Sequence, residues 1–248
     1  MNQPGDWVYG VHSVSAVLTE DPQRVRVVYL QRGRRDARLQ ALRETARAAG
    51  VRLDLVERQR LDQLVSGPHQ GVVAQCHSLA LAPEAELVEA FAALPKPRLL
   101  LILDGVTDPR NLGACLRTAS AAGVQAVLLP KRRSAPLNTL ALKTAAGGAE
   151  GLLLVQVTNL ARRLRWLQDQ GVWLVGAQAG ADTAWDQADL TGDLALVLGS
   201  EGSGLRALTA KSCDQLVNIP MQGAVQSLNV SVAAGVLLFE ARRQRDRT

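Results

Sequence analysis

Apolar residues recur along the chain in short runs that alternate with stretches of helical spacing. In the first part, branched aliphatic residues dominate 25–31 and 51–56, and a further apolar run covers 71–76. Residues 35–50 instead place apolar side chains three or four positions apart and end at a glycine. Short apolar runs predict strands, and the wider spacing predicts a helix. Residues 1–77 are therefore predicted to form a small α/β domain with its own core.

The following segment, residues 78–96, is predicted to be a helical linker. It is rich in alanine, and Pro83, Pro95 and Pro97 stand near its borders. Proline interrupts helices, so these positions mark the limits of the helical stretch. A domain boundary near Lys96 then leaves residues 97–248 for a second domain.

The second domain is predicted to be an α/β sheet of mainly parallel strands. Its strands are expected at six apolar runs: 99–103, 124–129, 151–157, 172–177, 194–199 and 215–220. Its helices are expected at 111–123, 159–171 and 229–245. Continuous apolar runs are typical of parallel strands that are buried on both faces. Ligands of such sheets bind at the carboxyl ends of the strands.

Composition adds a preference for a polyanionic partner. The chain has 248 residues, 47% of them hydrophobic, which is enough for two domains with buried cores. The formal net charge is +5, and the cations are overwhelmingly arginine. Arginine suits phosphate because its planar guanidinium binds two oxygens at once. Charge alone does not identify nucleic acid, since many cationic faces are only solvated.

Several classes of protein are disfavoured by what the sequence lacks. It has neither an apolar run of about 18 residues nor a secretion signal, so we expect a cytoplasmic protein without a membrane span. Cys76, Cys115 and Cys213 are widely separated, which fits a reducing compartment and suggests neither a metal site nor a redox pair. The dinucleotide and P-loop glycine patterns are both missing, which disfavours a dinucleotide-dependent oxidoreductase and a nucleotide hydrolase.

The first of three polar segments, residues 103–123, leaves a buried strand and enters a helix at Asn111. Asn111 is either a helix cap or part of a polar site. In the predicted helix Arg117 is surrounded by alanine, glycine, leucine and cysteine. Desolvating an unpartnered charge is costly, so Arg117 is expected either at a solvent-exposed edge or in a functional site.

The other two polar segments also follow strand ends. Residues 196–205 end in a glycine-rich turn with Glu201 at its tip, which is either solvated or functional. Residues 218–235 lead into a long apolar helix through Ser227 and Asn229. These two side chains either cap that helix or contribute to a site.

In this order and spacing, the segments resemble a known family. DGVTDPRNLGACLRTASAAG, GSEGSGL and IPMQGAVQSLNVSVAAGVLLFEARRQR resemble the three motifs of the SpoU, or TrmH-like, branch of the SPOUT methyltransferases. VYGVHSVSAVL (8–18) and PHQGVVAQ (68–75) resemble its substrate-binding domain, which is similar to ribosomal protein L30e. The resemblance covers nearly the whole chain. It implies an L30e-like domain followed by an α/β domain that is tied in a trefoil knot. Such knots are rare, because protein chains almost never thread through their own loops.

The resemblance also implies an activity and a cofactor. The family transfers the methyl group of S-adenosylmethionine to a ribose 2'-hydroxyl, here expected on a guanosine of 23S ribosomal RNA, in the P loop of the peptidyl-transferase region. By match to the motifs, backbone groups at Gly199, Ile219, Met221 and Leu228 would hold the cofactor. Strand ends and glycines suit that role because they expose main-chain donors and acceptors.

For catalysis, the resemblance implies Arg117 as the central residue, with Asn111, Glu201, Ser227 and Asn229 completing the polar site. A guanidinium stays protonated in proteins and cannot readily act as a base. We therefore expect Arg117 to hold the phosphate next to the ribose and to stabilise the developing alkoxide, while the proton passes to phosphate or water.

The family acts as homodimers whose active sites lie near the subunit interface. The helix from Asn229 onward has the small and apolar residues that close packing requires, although burial within its own subunit explains them equally well. Candidate RNA contacts are arginines of the first domain and a loop of the second. These residues are Arg24, Arg26, Arg32, Arg34, Arg35, Arg38, Arg43, Arg47, Arg132, Arg133 and Ser134.

Two alternatives stay open at this point. The same motifs serve 2'-O-methyltransferases of transfer RNA or of other ribosomal nucleotides. A non-catalytic RNA-binding or ribosome-assembly protein could also have this fold. The presence of all five polar residues of the site disfavours the non-catalytic alternative.

Overall fold

The computed structural model describes residues 6–34, 36–77 and 79–247. Arg35, one of the candidate RNA contacts, lies outside the described residues. Within these ranges, every helix falls short of the length or hydropathy that a membrane span requires.

The first domain is a four-stranded mixed sheet with three helices. The strands are β1 (Asp6–Tyr9), β2 (Val25–Gln31), β3 (Leu53–Val56) and β4 (Val72–Cys76). The helices are α1 (Val11–Glu20), α2 (Ala37–Ala48) and α3 (Arg58–Leu64). Spatial order is β1-β4-β2-β3, with β4 antiparallel to both neighbours and β3 parallel to β2. Aliphatic side chains of α1, α2, β2 and β4 form one core.

The second domain is an eight-stranded sheet. Its strands are β5 (Ala82–Pro83), β6 (Leu99–Asp104), β7 (Ala126–Pro130), β8 (Leu153–Val157), β9 (Trp173–Ala177), β10 (Thr183–Ala184), β11 (Leu194–Gly199) and β12 (Gln215–Asn218). The spatial order is β10-β12-β9-β11-β6-β7-β8-β5, and every neighbouring pair is parallel. The α/β architecture predicted from the apolar runs is confirmed. The trefoil knot stays a prediction, because strand order does not establish threading.

Helices cover both faces of this sheet. They are α4 (Glu84–Phe91), α5 (Pro109–Ala121), α6 (Thr139–Ala145), α7 (Leu160–Asp169), α8 (Ala207–Lys211) and α9 (Val230–Arg245). The alternation of side chains along β6 explains the two layers. Leu99, Leu101 and Leu103 point to the core under α5 and α9. Leu100 and Ile102 point to the core under α4 and α7.

Most of residues 78–96, the segment that was expected to be a linker, packs against the sheet of the second domain. Ala82 and Pro83 pair with β8 as an edge strand. In α4, Leu87 and Phe91 are buried in the core on the α7 side of the sheet. The two apolar residues stand four positions apart, so they lie on one face of the helix and bury it against the sheet.

A buried ion pair joins the two domains. Arg24 of the first domain donates to Glu150, which precedes β8, and both side chains are about 95% buried. Nearby, a Cβ on Gly147 would lie 2.6 Å from the Cβ of Ala16, so only glycine permits this close approach of α1. Arg24 was expected to contact RNA, and that expectation is wrong. Its charge is buried and neutralised at the domain interface.

Replacing Glu150 with alanine is expected to lower the free energy of unfolding by about 3 to 5 kcal/mol, because it leaves the Arg24 guanidinium buried without this carboxylate. Urea denaturation followed by circular dichroism measures the change. The control is Asp246→Ala, which breaks the exposed Arg242–Asp246 pair and is expected to cost less than about 1 kcal/mol. Equal losses in the two variants would contradict a special contribution of the buried pair.

Candidate functional site

A cleft opens at the carboxyl ends of β9, β11 and β12. Its volume, counting the space that is open to solvent, is about 700 Å³. Its walls come from the three strand ends, the turn after β11, and the segment that leads into α9. The residues that the sequence resemblance assigned to cofactor binding, Gly199, Ile219, Met221 and Leu228, all line this cleft.

The turn after β11 has a shape that glycine makes possible. Ser200 and Gly204 exchange two backbone hydrogen bonds, 3.1 and 2.9 Å long, so the chain reverses within five residues. A Cβ on Gly199 would overlap the carbonyl group of Gly204. Gly202 and Gly204 adopt positive φ angles of 87° and 65°, which L side chains rarely accept. The turn is therefore held against the strand end and projects Glu201 from its tip.

The cleft combines apolar walls with strand-end backbone. Ile219 and Leu228 supply aliphatic surface, and Met221 adds a polarisable thioether. Gly199 lines the cleft with backbone atoms alone. Such walls fit a flat aromatic ring that packs between aliphatic groups and forms hydrogen bonds with main-chain donors and acceptors. These residues thus suit the adenine-containing cofactor that the sequence resemblance implies.

Three polar side chains meet beside the cleft. The Nδ2 of Asn111 donates to Oε2 of Glu201 at 3.1 Å. The Nδ2 of Asn229 donates to Oδ1 of Asn111 at 2.9 Å and to Oε2 of Glu201 at 3.3 Å. We call these three residues the polar cluster. They come from α5, the turn after β11 and the start of α9, which are separated by 28 to 118 positions in sequence.

The orientation of the polar cluster follows from a helix cap. Asn229 is the N-cap of α9, and its Oδ1 accepts from the backbone N–H of Ser231 at 2.9 Å. Because Oδ1 faces this donor, the Nδ2 group of Asn229 faces Asn111. Asn111 in turn must present its oxygen to Asn229 and its Nδ2 to Glu201. Asn229 therefore caps α9 with its Oδ1 and joins the polar cluster with its Nδ2, so it has both of the roles that the sequence left as alternatives.

Asn111 does not cap α5. That helix begins two residues earlier, at Pro109, and Asp108 caps it by accepting from the N–H of Arg110 at 2.8 Å. Aspartate followed by proline is a common helix start, since proline fits the first helical position. The helix therefore contains a second cation, Arg110, besides Arg117.

Arg117 and Ser227 stand apart from the polar cluster. Ser227 is exposed and lines the cleft. Arg117 is exposed on α5, six residues after Asn111, which is about 9 Å along the helix axis. In the part of the chain that the structure describes, the Arg117 side chain makes neither a hydrogen bond nor an ion pair. A single chain therefore brings Asn111, Glu201 and Asn229 together and leaves Arg117 directed elsewhere.

Two glycines seat α5 against the elements that follow β7. A Cβ on Gly113 would overlap the Ala141 carbonyl oxygen of α6. A Cβ on Gly148, after α6, would lie 2.8 Å from the Cα of Arg117. The backbone of Arg117 is thus fixed even though its side chain is free to reach outward. The sequence pattern alone gave no reason to single out either glycine.

Two further features, one in the cleft and one at the neighbouring strand end, were missed from the sequence. Gln178 and Ala179 line the cleft after β9, and their position behind a predicted strand could have identified them. The Asp104 carboxylate at the end of β6 is buried and pairs with Arg206. Nothing in the local sequence connects these two residues, which are 102 positions apart.

Other expectations concern thiols and metals. Burial raises the pKa of the Cys115 thiol to about 12, and burial is also the largest cause that raises the pKa of Cys213 to about 12. Both thiols therefore stay protonated and unreactive at neutral pH. Among the residues that the structure describes, no three His, Cys, Asp or Glu side chains cluster in a way that could hold a metal ion.

Comparison with known proteins gives consistent matches to both domains. Residues 98–239 match the model of the SpoU rRNA Methylase family, and residues 7–82 match the model for RNA 2'-O ribose methyltransferase substrate binding. The chain is 50% identical to the 23S rRNA (guanosine-2'-O-)-methyltransferase RlmB of Coxiella burnetii, covering 96% of each chain. It is 52% identical to RlmB of Yersinia pestis, covering 96% of this chain and 97% of that one.

A solved structure is also similar over both domains. It is the SpoU methyltransferase AviRb from Streptomyces viridochromogenes in complex with the cofactor AdoMet, with a TM-score of 0.78 and 25% identity. The match covers 98% of this chain and 91% of that chain. The sequence motifs, the parallel sheet with its cleft, and a family model that spans more than half of the residues all agree, and the chain belongs to the SpoU rRNA methylase family.

Proposed function

We propose that this protein transfers a methyl group from S-adenosylmethionine to the ribose 2'-hydroxyl of a guanosine in 23S ribosomal RNA. The observation that carries the proposal is the position of Glu201, which lines the cleft and also accepts hydrogen bonds within the polar cluster. A polar site thus opens directly into the cleft at the strand ends. The substrate is supported by about half identity to two RlmB enzymes over nearly their full length.

Gly199, Ile219, Met221 and Leu228 would hold the cofactor. The AviRb structure, which contains AdoMet, supports this choice of ligand because it shares the fold over both domains. When bound, S-adenosylmethionine supplies an electrophilic methyl group on a positively charged sulfur. Ser227 lines the same cleft and would contact either the ribose or the cofactor.

The polar cluster would orient the ribose. Glu201 accepts two amide donors with one oxygen, which leaves its other oxygen able to accept a sugar hydroxyl. Arg117 would bind the phosphate beside the ribose and stabilise charge on the 2'-oxygen as its proton leaves. The proton would pass to phosphate or water, since a guanidinium stays protonated.

We further propose that the active unit is a homodimer. On α9, Val232 and Phe239 are each 51% exposed, and their separation of seven residues places them on one face. Val225, just before α9, is 63% exposed. Exposed apolar groups that lie together favour a partner surface. A second copy is the partner that also explains Arg117, because α5 packs beside α9 and Arg117 would reach the polar cluster of the neighbouring subunit.

Glu201→Ala is expected to lower kcat of methyl transfer by about 10- to 100-fold, the loss of one or two hydrogen bonds to a charged group. Glu201→Gln keeps an oxygen acceptor for Asn111 and Asn229, so it should retain more activity than the alanine variant. Single-turnover transfer of labelled methyl measures both. Equal activity of the two variants would show that the hydrogen bonds to Asn111 and Asn229 do not matter for the reaction.

The substrate is tested by incubating the protein with labelled S-adenosylmethionine and three RNAs separately: 23S RNA that lacks the modification, precursor particles, and unmodified transfer RNA. We expect label in 23S RNA or in its precursor particle. Transfer to transfer RNA alone would favour the tRNA alternative. No transfer to any of the three would favour a non-catalytic RNA-binding protein. An enzyme of ribosomal RNA is expected in the cytoplasm.

A further inference from the structure

A second, larger pocket lies at the carboxyl edge of the same sheet, on the face that carries α7 and α8. We call it the cationic pocket; its volume is about 1,370 Å³. It is formed by the loop after β7, the start of α7, and the segment after the β11 turn. Its lining comprises Pro130, Lys131, Arg132, Arg133, Thr158, Asn159, Leu160, Ala161, Arg206, Leu208 and Thr209.

Three of the four positive charges of this pocket have no carboxylate partner among the described residues. Its lining contains four cations and no carboxylate. Lys131, Arg132 and Arg133 are exposed, and none of them forms an ion pair with a carboxylate of residues 6–34, 36–77 or 79–247. Arg206 does pair with the buried Asp104. Three adjacent cations that repel one another and face the same space favour an anionic ligand with more than one charge.

The pocket is built by fixed backbone and not by a mobile loop. Lys131 donates its N–H to the Val157 carbonyl at 2.8 Å, and Ala135 donates to the Val106 carbonyl at 2.7 Å. The loop that carries the three cations is therefore tied at both ends. The buried Asp104 carboxylate fixes the guanidinium of Arg206 by an ion pair, while 43% of the Arg206 side chain stays exposed.

The start of α7 adds a second source of positive potential. Thr158, Asn159, Leu160 and Ala161 line the pocket, so the first turn of this ten-residue helix faces it. Free N–H groups and the helix dipole at this end attract anions. Two N–H groups at this end already have partners: Asn159 accepts from that of Arg162 at 3.0 Å, and Glu84 accepts from that of Thr158 at 2.7 Å. The helix end thus reinforces the attraction that the side chains already create.

The cationic pocket lies close to the proposed reaction site. The segment after β11 contributes Glu201 to the polar cluster and Arg206 to the pocket. The other pocket walls follow β7 and β8, the first and second neighbours of β6. The polar cluster lies on the face of this edge that carries α5 and α9, and the pocket lies on the face that carries α7 and α8. Because Glu201 and Arg206 are five residues apart, their Cα atoms lie within about 18 Å of each other. A polynucleotide with its ribose at the polar cluster could therefore extend over this edge and into the pocket within a few nucleotides.

We propose that the cationic pocket binds consecutive phosphates of the RNA strand that flanks the methylated ribose. This inference rests on the proposed function for the identity of the polyanion. The open shape and large volume exceed what a single small anion needs, whereas a backbone with one charge per nucleotide matches a row of three cations. Contacts of this kind position an RNA without reading its sequence.

The test compares wild type with Lys131→Ala/Arg132→Ala in direct binding to a labelled single-stranded RNA oligomer over a range of salt concentrations. The matched control, which removes the same number of charges, is Arg60→Ala/Arg165→Ala, two exposed arginines outside the pocket. We expect Kd of the double variant to rise at least about 10-fold and the slope of log Kd against log salt to fall by about 1 to 2. Cofactor binding and the affinity of the control should stay within about two-fold of wild type.

Each outcome separates this proposal from the proposed function, because binding is measured without methyl transfer. Equal RNA affinity of the double variant and wild type would overturn the RNA site, even if methylation proceeds normally. Displacement of wild-type RNA binding by millimolar inorganic phosphate, at constant ionic strength, would overturn it in favour of a small-anion site. Weaker RNA binding by the double variant supports the site. If the wild-type protein binds RNA and cofactor but transfers no methyl group, only the proposed reaction is refuted.

Discussion

Replacing Arg117 with alanine is expected to lower kcat of methyl transfer by about 10²- to 10³-fold, the usual effect of removing a group that stabilises a developing anion. Cofactor affinity should stay unchanged, because Arg117 does not line the cleft. Quench-flow transfer assays and calorimetric titration of the cofactor measure the two quantities. Arg117→Lys should remain impaired, since a lysine cannot present the two-pronged guanidinium to phosphate. Near-normal turnover by Arg117→Lys would contradict the need for that planar group.

The same residue allows a test of the dimer. If Arg117 acts on the neighbouring subunit, mixing Arg117→Ala with Glu201→Ala chains creates heterodimers with one complete site, and about a quarter of wild-type activity should return after subunit exchange. If Arg117 acts on its own chain, every site in the mixture lacks one residue and the mixture stays as inactive as its parts. A protein that is monomeric in sedimentation experiments would contradict the dimer directly.

Gly199→Ala has the second largest expected effect. The new Cβ would overlap the Gly204 carbonyl group, so the turn after β11 must move away from the strand end. Since this turn forms one wall of the cleft and carries Glu201, we expect cofactor affinity to fall by about 100-fold or more and the free energy of unfolding to fall by about 1 to 3 kcal/mol. Calorimetry and urea denaturation measure these losses.

The control for this substitution is Gly192→Ala. A Cβ on Gly192 meets no atom within 4 Å, and its φ angle lies outside the positive region. This variant should bind the cofactor like wild type. Wild-type cofactor affinity in Gly199→Ala would contradict the assignment of the cleft as the cofactor site.

The long apolar runs of the sequence predicted the framework well, for a physical reason. Residues 25–31 and 194–199 are central strands in their sheets, and the structure assigns the same bounds to β2 and β11. Strands buried on both faces require continuous apolar residues, so their pattern is strong. Two-residue edge strands such as Thr183–Ala184 have no such pattern, since solvent covers much of them. The helix α1 was missed although Val14, Val17 and Leu18 follow helical spacing.

The site was harder to predict than the framework because its parts are brought together by the fold. The resemblance named all members of the polar cluster, but local reasoning could not decide between capping and function at Asn111 and Asn229. The structure resolves this differently for each: Asp108 caps α5, whereas Asn229 caps α9 and also joins the cluster. The burial of Arg24 could not be predicted for the same reason, since nothing near it in the sequence identifies Glu150 as its partner.

The most direct test of the proposed reaction is to identify the methylated nucleoside. 23S RNA without the modification is methylated with labelled S-adenosylmethionine, digested to nucleosides and separated by liquid chromatography, and the labelled position is then mapped by reverse transcription. Methyl transfer to a ribose predicts 2'-O-methylguanosine as the single labelled product, at one position in the P loop of the peptidyl-transferase region, and loss of that label in Arg117→Ala. Label in a base-methylated nucleoside, or on a 2'-deoxyguanosine placed at the same position, would contradict it.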